Sequence, residues 1–224
     1  TSFLKNILTK SGIAANKILV LPDAVDMEEF DIDISKEAAR EKLELPLDKK
    51  IILYTGSFLS YEWKGVDVLL ESAKILSGDY LFVLVGGHPW ELDQIRKRWG
   101  LKNVKLVSYV KHNFIPYYLK AADILVLPNK HGNEASELYT SPLKLFEYMA
   151  SRRPIVSSNL PSLREMIGDD EALFFRPNDP RDLAMAISRL LANEKLREKL
   201  AANAYFKVRG YTWDKRAVKI INIL

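Results

Sequence analysis

The sequence predicts an α/β fold with a doubly wound parallel sheet, and two observations support this prediction. Short apolar runs alternate with amphipathic patterns along nearly the whole chain. Most of these runs are continuously apolar, which is typical of strands that helices cover on both faces. Because short connections join the two kinds of segment, the chain is expected to pass from strand to helix and back within one sheet.

Seven strands and the helices between them follow from these patterns. The predicted strands cover residues 18–21, 51–55, 80–85, 104–107, 124–127, 155–157 and 173–175. Apolar residues at helical spacing form two faces, Val66, Leu69, Leu70, Ala73 and Leu76, and later Leu183, Ile187, Leu190 and Leu191. A charged helix is predicted next, over residues 194–209. The two apolar faces are expected to cover the sheet.

The two ends of the chain differ from its middle. Apolar stripes occur near the start (Phe3, Leu4, Ile7, Leu8) and at the end (Ala217, Ile220, Ile221, Leu224). We therefore divide the chain into residues 1–17, a main domain over residues 18–210 and a final helix over residues 211–224. Each stripe needs a cover, so it either packs on the main domain or faces a neighbouring domain. The chain begins at Thr1, and we expect it to be a fragment of a longer protein.

Composition excludes several classes of protein. The 224 residues are 48% hydrophobic and 28% charged, with a net charge of +4, which excludes a disordered chain. The sequence holds no Cys, which excludes disulfides, thiolate metal sites and cysteine nucleophiles and fits a reducing, cytoplasmic compartment. No apolar run approaches the roughly 18 residues of a membrane span. The basic runs at residues 96–98 and 152–153 are too short to predict nucleic-acid binding.

The ligand of an open parallel sheet is expected beyond the carboxyl ends of its strands. The loop after residues 51–55 runs from Gly56 to Gly65 and carries Lys64 just before a helix. Gly86 and Gly87 follow the next strand and would let a ligand approach the backbone. A polar loop over residues 128–140 is long enough to predict a binding role.

The helix after that loop gives the clearest local signal. Ser141 suits an N-cap and Pro142 the first helical position, so the free amides of Leu143 and Lys144 are expected to form an anion site. Glu147 follows one turn later, where its carboxylate could accept hydrogen bonds from hydroxyl groups. Donors for an anion beside an acceptor for hydroxyls describe the diphosphate and ribose of a nucleotide. A plain surface pair of Lys and Glu is the alternative.

Other familiar sites are absent from the sequence. It has no dinucleotide-binding Gly-x-Gly-x-x-Gly and no P-loop. The three histidines, His88, His112 and His131, share no metal-ligand spacing, so we predict no metal site and no cofactor. The segment Asp31-Ile32-Asp33 imitates a metal motif of another class of sugar transferase, but we interpret it as a solvated loop.

Several segments together match a known family in order. They are residues 20–26 (VLPDAVD) with Phe30, Gly56-Ser57, residues 63–67 (WKGVD), residues 122–128 (ADILVLP), residues 141–150 (SPLKLFEYMA) and residues 153–156 (RPIV). From about residue 18 onward the chain resembles the C-terminal, donor-binding half of the retaining glycosyltransferases with two facing Rossmann-like domains. This is the GT-B fold in its group 1, or family 4, class.

The resemblance implies an enzyme that transfers a hexosyl-type sugar, with retention, from a UDP- or GDP-linked donor to an acceptor hydroxyl without a metal. Lys64 and the amides of Leu143 and Lys144 would contact the diphosphate. Fixed donors of this kind stabilise the charge that grows on the departing diphosphate.

The remaining implied contacts lie around the diphosphate. Gly56 and Ser57 belong to the first phosphate loop, and Ser141 begins the second. The backbone near Val110 would hold the base, and Glu147 the donor ribose. Lys64 and Glu147 are the predicted catalytic residues.

Two departures from the family pattern concern sugar and phosphate contacts. The first Glu of the family's Glu–seven residues–Glu motif corresponds to Tyr139, and Glu134 or Glu137 is a candidate replacement for the sugar contact. Ser57 stands where many members carry an Arg, so Lys144 is expected to supply the second positive charge.

The family's other half, an N-terminal acceptor domain with a catalytic side chain, is missing from this sequence. The resemblance implies that residues 1–17 are the end of that domain or a linker helix and that residues 211–224 pack back onto it. The chain alone is then expected to bind nucleotide weakly and not to turn over. Membrane-surface contact, where the family has it, uses the missing domain.

Two alternatives stay open at this point. One is a non-catalytic module that binds nucleotide sugars, which the Tyr139 departure favours. The other is a different enzyme of the same fold, such as a sugar-nucleotide epimerase or a phosphorylase. The sequence selects neither the donor sugar and base nor the acceptor.

Overall fold

The computed structural model describes residues 1–60, 62–76 and 78–222. Within them lies one six-stranded parallel sheet. Its strands are β1 (Lys50–Thr55), β2 (Tyr80–Gly87), β3 (Val104–Ser108), β4 (Ile124–Leu127), β5 (Ile155–Ser158) and β6 (Leu173–Phe175). The α/β prediction is confirmed, and six of the seven predicted runs form strands.

Helices occupy most of the connections. They are α1 (Ser2–Lys10), α2 (Met27–Phe30), α3 (Lys36–Lys42), α4 (Val66–Ile75), α5 (Pro89–Trp99), α6 (Ile115–Ala121), α7 (Leu143–Ala150), α8 (Pro161–Arg164), α9 (Pro180–Leu191), α10 (Glu194–Val208) and α11 (Trp213–Ile221). Short 3₁₀ turns lie at Ala15–Lys17, Glu62–Lys64 and His112–Phe114, and a π-helical turn lies at Ala135–Tyr139. The predicted helical faces are present in α4 and α9, where the side chains of Val66, Leu69, Leu183 and Ile187 are buried.

The sheet order is β3-β2-β1-β4-β5-β6, so the chain changes direction across the sheet between β1 and β4. Alternate side chains of β1 enter different cores: Ile51 and Leu53 pack on one face, and Ile52 and Tyr54 on the other. All four are buried, which explains why the strand reads as continuously apolar. The point between β1 and β4 is where such sheets bind ligands.

The entrance of β1 and β4 is fixed by a buried charge network. Asp123 Oδ2 accepts hydrogen bonds from the Ile51 amide at 2.7 Å and from Arg40 at 2.6 Å. Arg40, which is 3% exposed, also donates to the carbonyl oxygens of Ala121 and Leu47. These bonds hold the two central strands in register at the end remote from the predicted loops.

The predicted strand at residues 18–21 is wrong. Half of the Leu19 side chain is exposed, and no strand pairs with this segment among the described residues. The chain is instead attached a few residues later, where Val25 bridges Thr212 and its amide donates to the Tyr211 carbonyl oxygen at 3.0 Å. An apolar run without a neighbouring strand has no partner for its backbone, so it stays irregular.

Both end stripes form helices that bury none of their described residues. In α1, Leu4 and Ile7 are about two-fifths exposed, and in α11 Ile221 is two-thirds exposed. Leu224, the last residue of the predicted stripe, lies outside the described residues. The proposed division at residues 17 and 210 stays a prediction.

The interpretation of residues 31–33 as a solvated loop is wrong for Asp31. Its carboxylate accepts two hydrogen bonds from Arg152, each of 2.9 Å, and one from the Tyr205 hydroxyl at 2.6 Å. The Arg152 hydrogen bond, against the effect of burial, lowers the pKa of Asp31. Asp31 therefore ties the loop to Arg152 and Tyr205, with about a fifth of its side chain still exposed.

Candidate functional site

A cavity of about 710 Å³ lies at the carboxyl ends of β1 and β2 and the start of α7. Eight of the predicted site residues line it: Gly56, Ser57, Lys64, Val110, Ser141, Leu143, Lys144 and Glu147. They come from three separate segments of the chain, the loop after β1, the segment after β3 and the start of α7. The sheet brings these segments together because the carboxyl ends of parallel strands share one edge.

The loop after β1 approaches α7 very closely at Gly56. This residue has φ of +126°, and a Cβ atom there would lie 2.8 Å from Lys144 Nζ. From the same loop, Lys64 Nζ donates a hydrogen bond to Ser57 Oγ at 2.7 Å. Burial lowers the pKa of Lys64, although Glu91 opposes this effect. The loop therefore presents small residues and one cation to the cavity.

Glu91 of α5 holds this loop in place from behind. Its side chain is fully buried, and Oε1 accepts hydrogen bonds from the amides of Leu59 and Ser60 at 2.7 and 2.8 Å. Oε2 accepts from the His88 amide at 2.8 Å. Burial raises the pKa of Glu91, but the backbone hydrogen bonds outweigh it and leave the pKa below its ordinary value. The carboxylate thus stays ionised and fixes the backbone at Leu59 and Ser60, close to Ser57.

Gly65 joins this loop to the loop after β4. It has φ of +72°, and a Cβ atom there would lie 1.8 Å from the Pro128 carbonyl oxygen. The adjoining Lys130 amide donates to the Trp63 carbonyl oxygen at 2.8 Å. Only glycine fits this close approach of the two loops, and the approach fixes the position of Lys64 just before α4.

The start of α7 differs from the prediction by one residue. The helix begins at Leu143, and Pro142 occupies the N-cap position without a side-chain capping bond. Ser141 Oγ instead accepts a hydrogen bond from the Asp23 amide at 3.1 Å, because the segment before α2 passes beside it. The first amides of α7, those of Leu143 and Lys144, have no acceptor within their own helix.

A buried tyrosine fixes α7 against β1. The Tyr148 hydroxyl accepts a hydrogen bond from the Thr55 amide at 2.9 Å. Tyr148 is fully buried, and burial raises its pKa well above the ordinary value. This contact places the α7 amides directly beyond the end of β1.

Lys144 lies on the inner wall of the cavity. Its Nζ is 4.0 Å from the centroid of the Tyr54 ring. Burial, together with the charge of Lys64, lowers the pKa of Lys144 to about 7. The cavity therefore holds a cation whose charge the protein itself poorly compensates, which favours an anionic ligand.

Glu147 lies deeper on the same helix face. Its Oε1 is 3.1 Å from His112 Nε2, and Nδ1 of that imidazole is 3.0 Å from Glu29 Oε1. Burial raises the pKa of Glu147, while His112 and Lys144 oppose the rise. A carboxylate in this position can accept hydrogen bonds from hydroxyl groups of a ligand.

The structure does not bring Tyr139 into the cavity with the other predicted residues. Tyr139 ends the π-helical turn, and its hydroxyl donates to Glu134 Oε2 at 3.0 Å. Glu137 Oε1 accepts from the Gly132 amide at 2.6 Å. Neither Glu134 nor Glu137 lines the cavity, because both are bonded within the loop over residues 128–140. Their sugar contacts stay predictions.

Several residues that line the cavity are not among those predicted from the sequence. Those with polar or aromatic side chains are Asp23, Thr55, Trp63, Tyr109, His112 and Thr140. The spacing of His112 argues only against a metal site, although its place after β3 puts it at the edge of the sheet where the cavity lies. No local sequence pattern identifies Glu91, because its partners lie about 30 residues away in the chain.

The described residues contain neither a cluster of metal ligands nor a membrane-spanning helix. Among them, no three His, Asp or Glu side chains are placed to hold one metal ion. None of their helices combines the length and the apolar character needed to cross a bilayer.

Comparisons with known proteins agree with this geometry. The family model described as glycosyl transferases group 1 matches residues 35–207. A D-inositol 3-phosphate glycosyltransferase of Xylanimonas cellulosilytica is 28% identical over 225 residues, which is 95% of this chain and 52% of that protein. The chain spans about half the length of the curated relatives it matches.

Solved structures show the same architecture. Sucrose-phosphate synthase from Thermosynechococcus elongatus superposes with a TM-score of 0.75 at 26% identity, over 92% of this chain and 51% of the other. HepE from Anabaena, solved in complex with UDP-glucose, gives a TM-score of 0.81 at 18% identity, over 98% of this chain and 60% of the other. The Rossmann-like fold of the GT-B glycosyltransferases is therefore shown for this chain.

Proposed function

The chain belongs to the group 1 glycosyl transferases, and from this premise we propose that its cavity binds the nucleoside diphosphate of a sugar donor. The observation that carries the proposal is the pair of lysines, Lys64 and Lys144, beside the free amides that begin α7. Two cations and a helix N-terminus in one half-buried cavity suit a diphosphate better than any neutral ligand.

The rest of the cavity fits the remaining parts of a nucleotide. Glu147 offers a carboxylate to ribose hydroxyls, and the backbone near Val110 borders the place for a base. UDP and GDP are the expected nucleotides; the HepE complex with UDP-glucose, in a protein of the same fold, supports UDP.

In transfer, the bond from the sugar to the diphosphate breaks and negative charge grows on the departing phosphate. Lys64, Lys144 and the α7 amides would stabilise that charge without moving, because they are already fixed by Ser57, Tyr54 and the end of β1. We propose that the whole protein transfers a hexosyl-type sugar with retention and that no metal takes part.

The acceptor is proposed to bind on another domain. The relatives are about twice as long as this chain, and the helices α1 and α11 carry apolar residues of which none is fully buried among the described residues. Residues 1–17 and 211–224 would pack against that domain. The chain alone should therefore bind nucleotide and not transfer sugar.

A calorimetric titration of the chain with UDP, GDP and ADP tests the proposal. We expect saturable binding of one diphosphate, weakened at least about tenfold by Lys64→Ala and by Glu147→Ala. Lys97→Ala is the matched control, because Lys97 is exposed on α5 and does not line the cavity. A chain that binds none of the three at millimolar concentration, or variants that bind as tightly as the wild type, would contradict it.

A further inference from the structure

The imidazole of His112 lies between two carboxylates from different parts of the fold. Glu29 belongs to α2 and Glu147 to α7, and they are 83 and 35 residues away from His112 in the chain. Each ring nitrogen faces one carboxylate oxygen, at 3.0 Å and 3.1 Å. The edge of the Phe30 ring packs on the imidazole, with 5.3 Å between the ring centroids.

This arrangement constrains the protons. A neutral imidazole has one N–H, whereas an ionised carboxylate can only accept a hydrogen bond. Both contacts are therefore favourable at once only when His112 carries two protons, or when one carboxyl group is itself protonated. The three residues form one network whose geometry depends on its proton count.

The surrounding charges favour the imidazolium. Burial lowers the pKa of His112, but its contacts with Glu147 and Glu29 outweigh this and leave the pKa above 6.5. Lys144 and Glu29 are the other charged groups that act on Glu147. Glu147 is mostly withdrawn from water, whereas the His112 side chain is 59% exposed and can exchange protons with solvent.

We propose that His112 is a positioning residue: its imidazolium, held by Glu29, fixes the Glu147 carboxylate for the ribose hydroxyls of the nucleotide. This rests on the proposed function of the cavity. When His112 loses its second proton, one ring nitrogen has no hydrogen to donate. Its lone pair then faces a carboxylate oxygen, and the two acceptors repel each other. Glu147 then loses its ordering and its ionised form becomes less stable, so the hydroxyls lose their acceptor.

A comparison of two ligands isolates this effect. UDP, or GDP if it binds more tightly, is compared with its 2′,3′-dideoxy counterpart, which has the same base and diphosphate but no ribose hydroxyls. The ratio of the two affinities cancels every effect that acts through the diphosphate, including the titration of Lys144.

The ratio is measured by calorimetry between pH 6 and pH 9. We expect the wild type to prefer the ribonucleotide about tenfold at the acid end and to lose that preference as pH rises through the raised pKa of His112. In His112→Gln the ratio should be small and independent of pH. In Glu29→Gln the affinity ratio should equal that of the wild type at low pH. It should then decline at a lower pH than in the wild type, because one carboxylate that raises the pKa of His112 is gone.

His131→Gln provides the matched control. His131 also pairs with a carboxylate, Glu137 at 3.1 Å, but it does not line the cavity, so its variant should follow the wild-type profile. A nuclear magnetic resonance titration of the His112 ring gives a second readout that needs no ligand. The pKa of His112 should fall in Glu29→Gln, because one of the two carboxylates that raise it is removed.

The outcomes are distinct. Nucleotide binding with a ratio that does not change with pH, or a profile unaltered in His112→Gln, overturns the role of His112 and leaves the proposed function standing. Failure of the wild type to bind either nucleotide overturns both. A His112 pKa that Glu29→Gln does not move overturns the part assigned to Glu29.

Discussion

Lys144 Nζ lies 4.0 Å from the centre of the Tyr54 ring, on the wall of a cavity that Glu147 also lines. Burial removes water from the charged amine of Lys144, and the face of the Tyr54 ring replaces part of that lost stabilisation. What remains uncompensated is a cost to the folded protein, and a residue retained at a cost to stability is typical of a binding site.

We predict that Lys144→Met stabilises the chain and weakens diphosphate binding. The folded pKa of about 7 lies below the ordinary value of 10.5, so folding disfavours the charged amine at neutral pH. Removing it should raise the free energy of unfolding by at least about 1 kcal/mol at pH 7. Urea unfolding measures this, with Lys97→Met, at an exposed position of α5, as the control; a less stable Lys144→Met would contradict the account.

The same residue predicts a dependence of stability on pH. Between about pH 7 and pH 10 the unfolded chain binds one more proton at Lys144 than the folded chain does, so this residue makes stability rise with pH across that window. Lys144→Met should lack this part of the rise. Superimposable pH profiles for the two proteins would show that Lys144 is not the titrating group.

Binding of a diphosphate at pH 8 should take up a proton. Lys144 is mostly neutral there when the cavity is empty, and two phosphate charges beside it would raise its pKa. Calorimetry in two buffers of different ionisation enthalpy should report an uptake of up to about one proton. Lys144→Met, at any ligand concentration that still gives binding, should show none.

Glu91→Gln should loosen the loop that carries Ser57 and Lys64. An amide in place of the carboxylate removes one acceptor oxygen and faces the loop amides with a donor, which should cost about 2 kcal/mol of stability. Nucleotide affinity should fall with it, although Glu91 does not line the cavity. Asp93→Asn, exposed on the same helix, is the control.

The Glu91 carboxylate also predicts that part of the stability is lost at acid pH. Its pKa is lowered by folding, so its contribution to stability is complete above about pH 4.5 and is lost as pH falls through the folded value. Glu91→Gln should have a shallower loss of stability in that range. An identical loss of stability at acid pH in both proteins would argue against the role of these hydrogen bonds.

Gly65→Ala should destabilise the chain and weaken nucleotide binding together. The new Cβ atom would overlap the Pro128 carbonyl oxygen at 1.8 Å, so the backbone beside Lys64 must move. Gly12→Ala separates this clash from simple strain, because Gly12 has φ of +96° but no atom within 4 Å of its Cβ position. We expect a loss of about 2 kcal/mol or more for Gly65→Ala and about 1 kcal/mol for Gly12→Ala, from thermal unfolding.

The sheet was largely predictable because its strands are buried on both faces and so read as continuous apolar runs. Residues 18–21 are similarly apolar but have no neighbouring strand in the part of the chain that the structure describes, and a local pattern cannot report a missing neighbour. Ser141 failed as an N-cap for a related reason: its hydroxyl meets the Asp23 amide, which lies 118 residues away.

The cavity was predictable in outline because loops after parallel strands must meet at one edge. Its polar network was not, since Glu91 and His112 act on groups that only the folded chain brings near them. Tyr139 shows the converse. Its position relative to Glu147 predicted a site residue, but a π-helical turn carries its hydroxyl to Glu134 instead.

The reversal of strand order between β1 and β4 has a consequence for the assembly of the protein. The loop after β1 and the start of α7 lie on opposite sides of that reversal, and their strands pair through residues as distant as Ile52 and Ile124. An intermediate with only β1, β2 and β3 in place would hold Lys64 and no α7 amides. The diphosphate site is therefore complete only after β4 and α7 have joined the sheet. A bound diphosphate should then lower the rate of unfolding without raising the rate of folding.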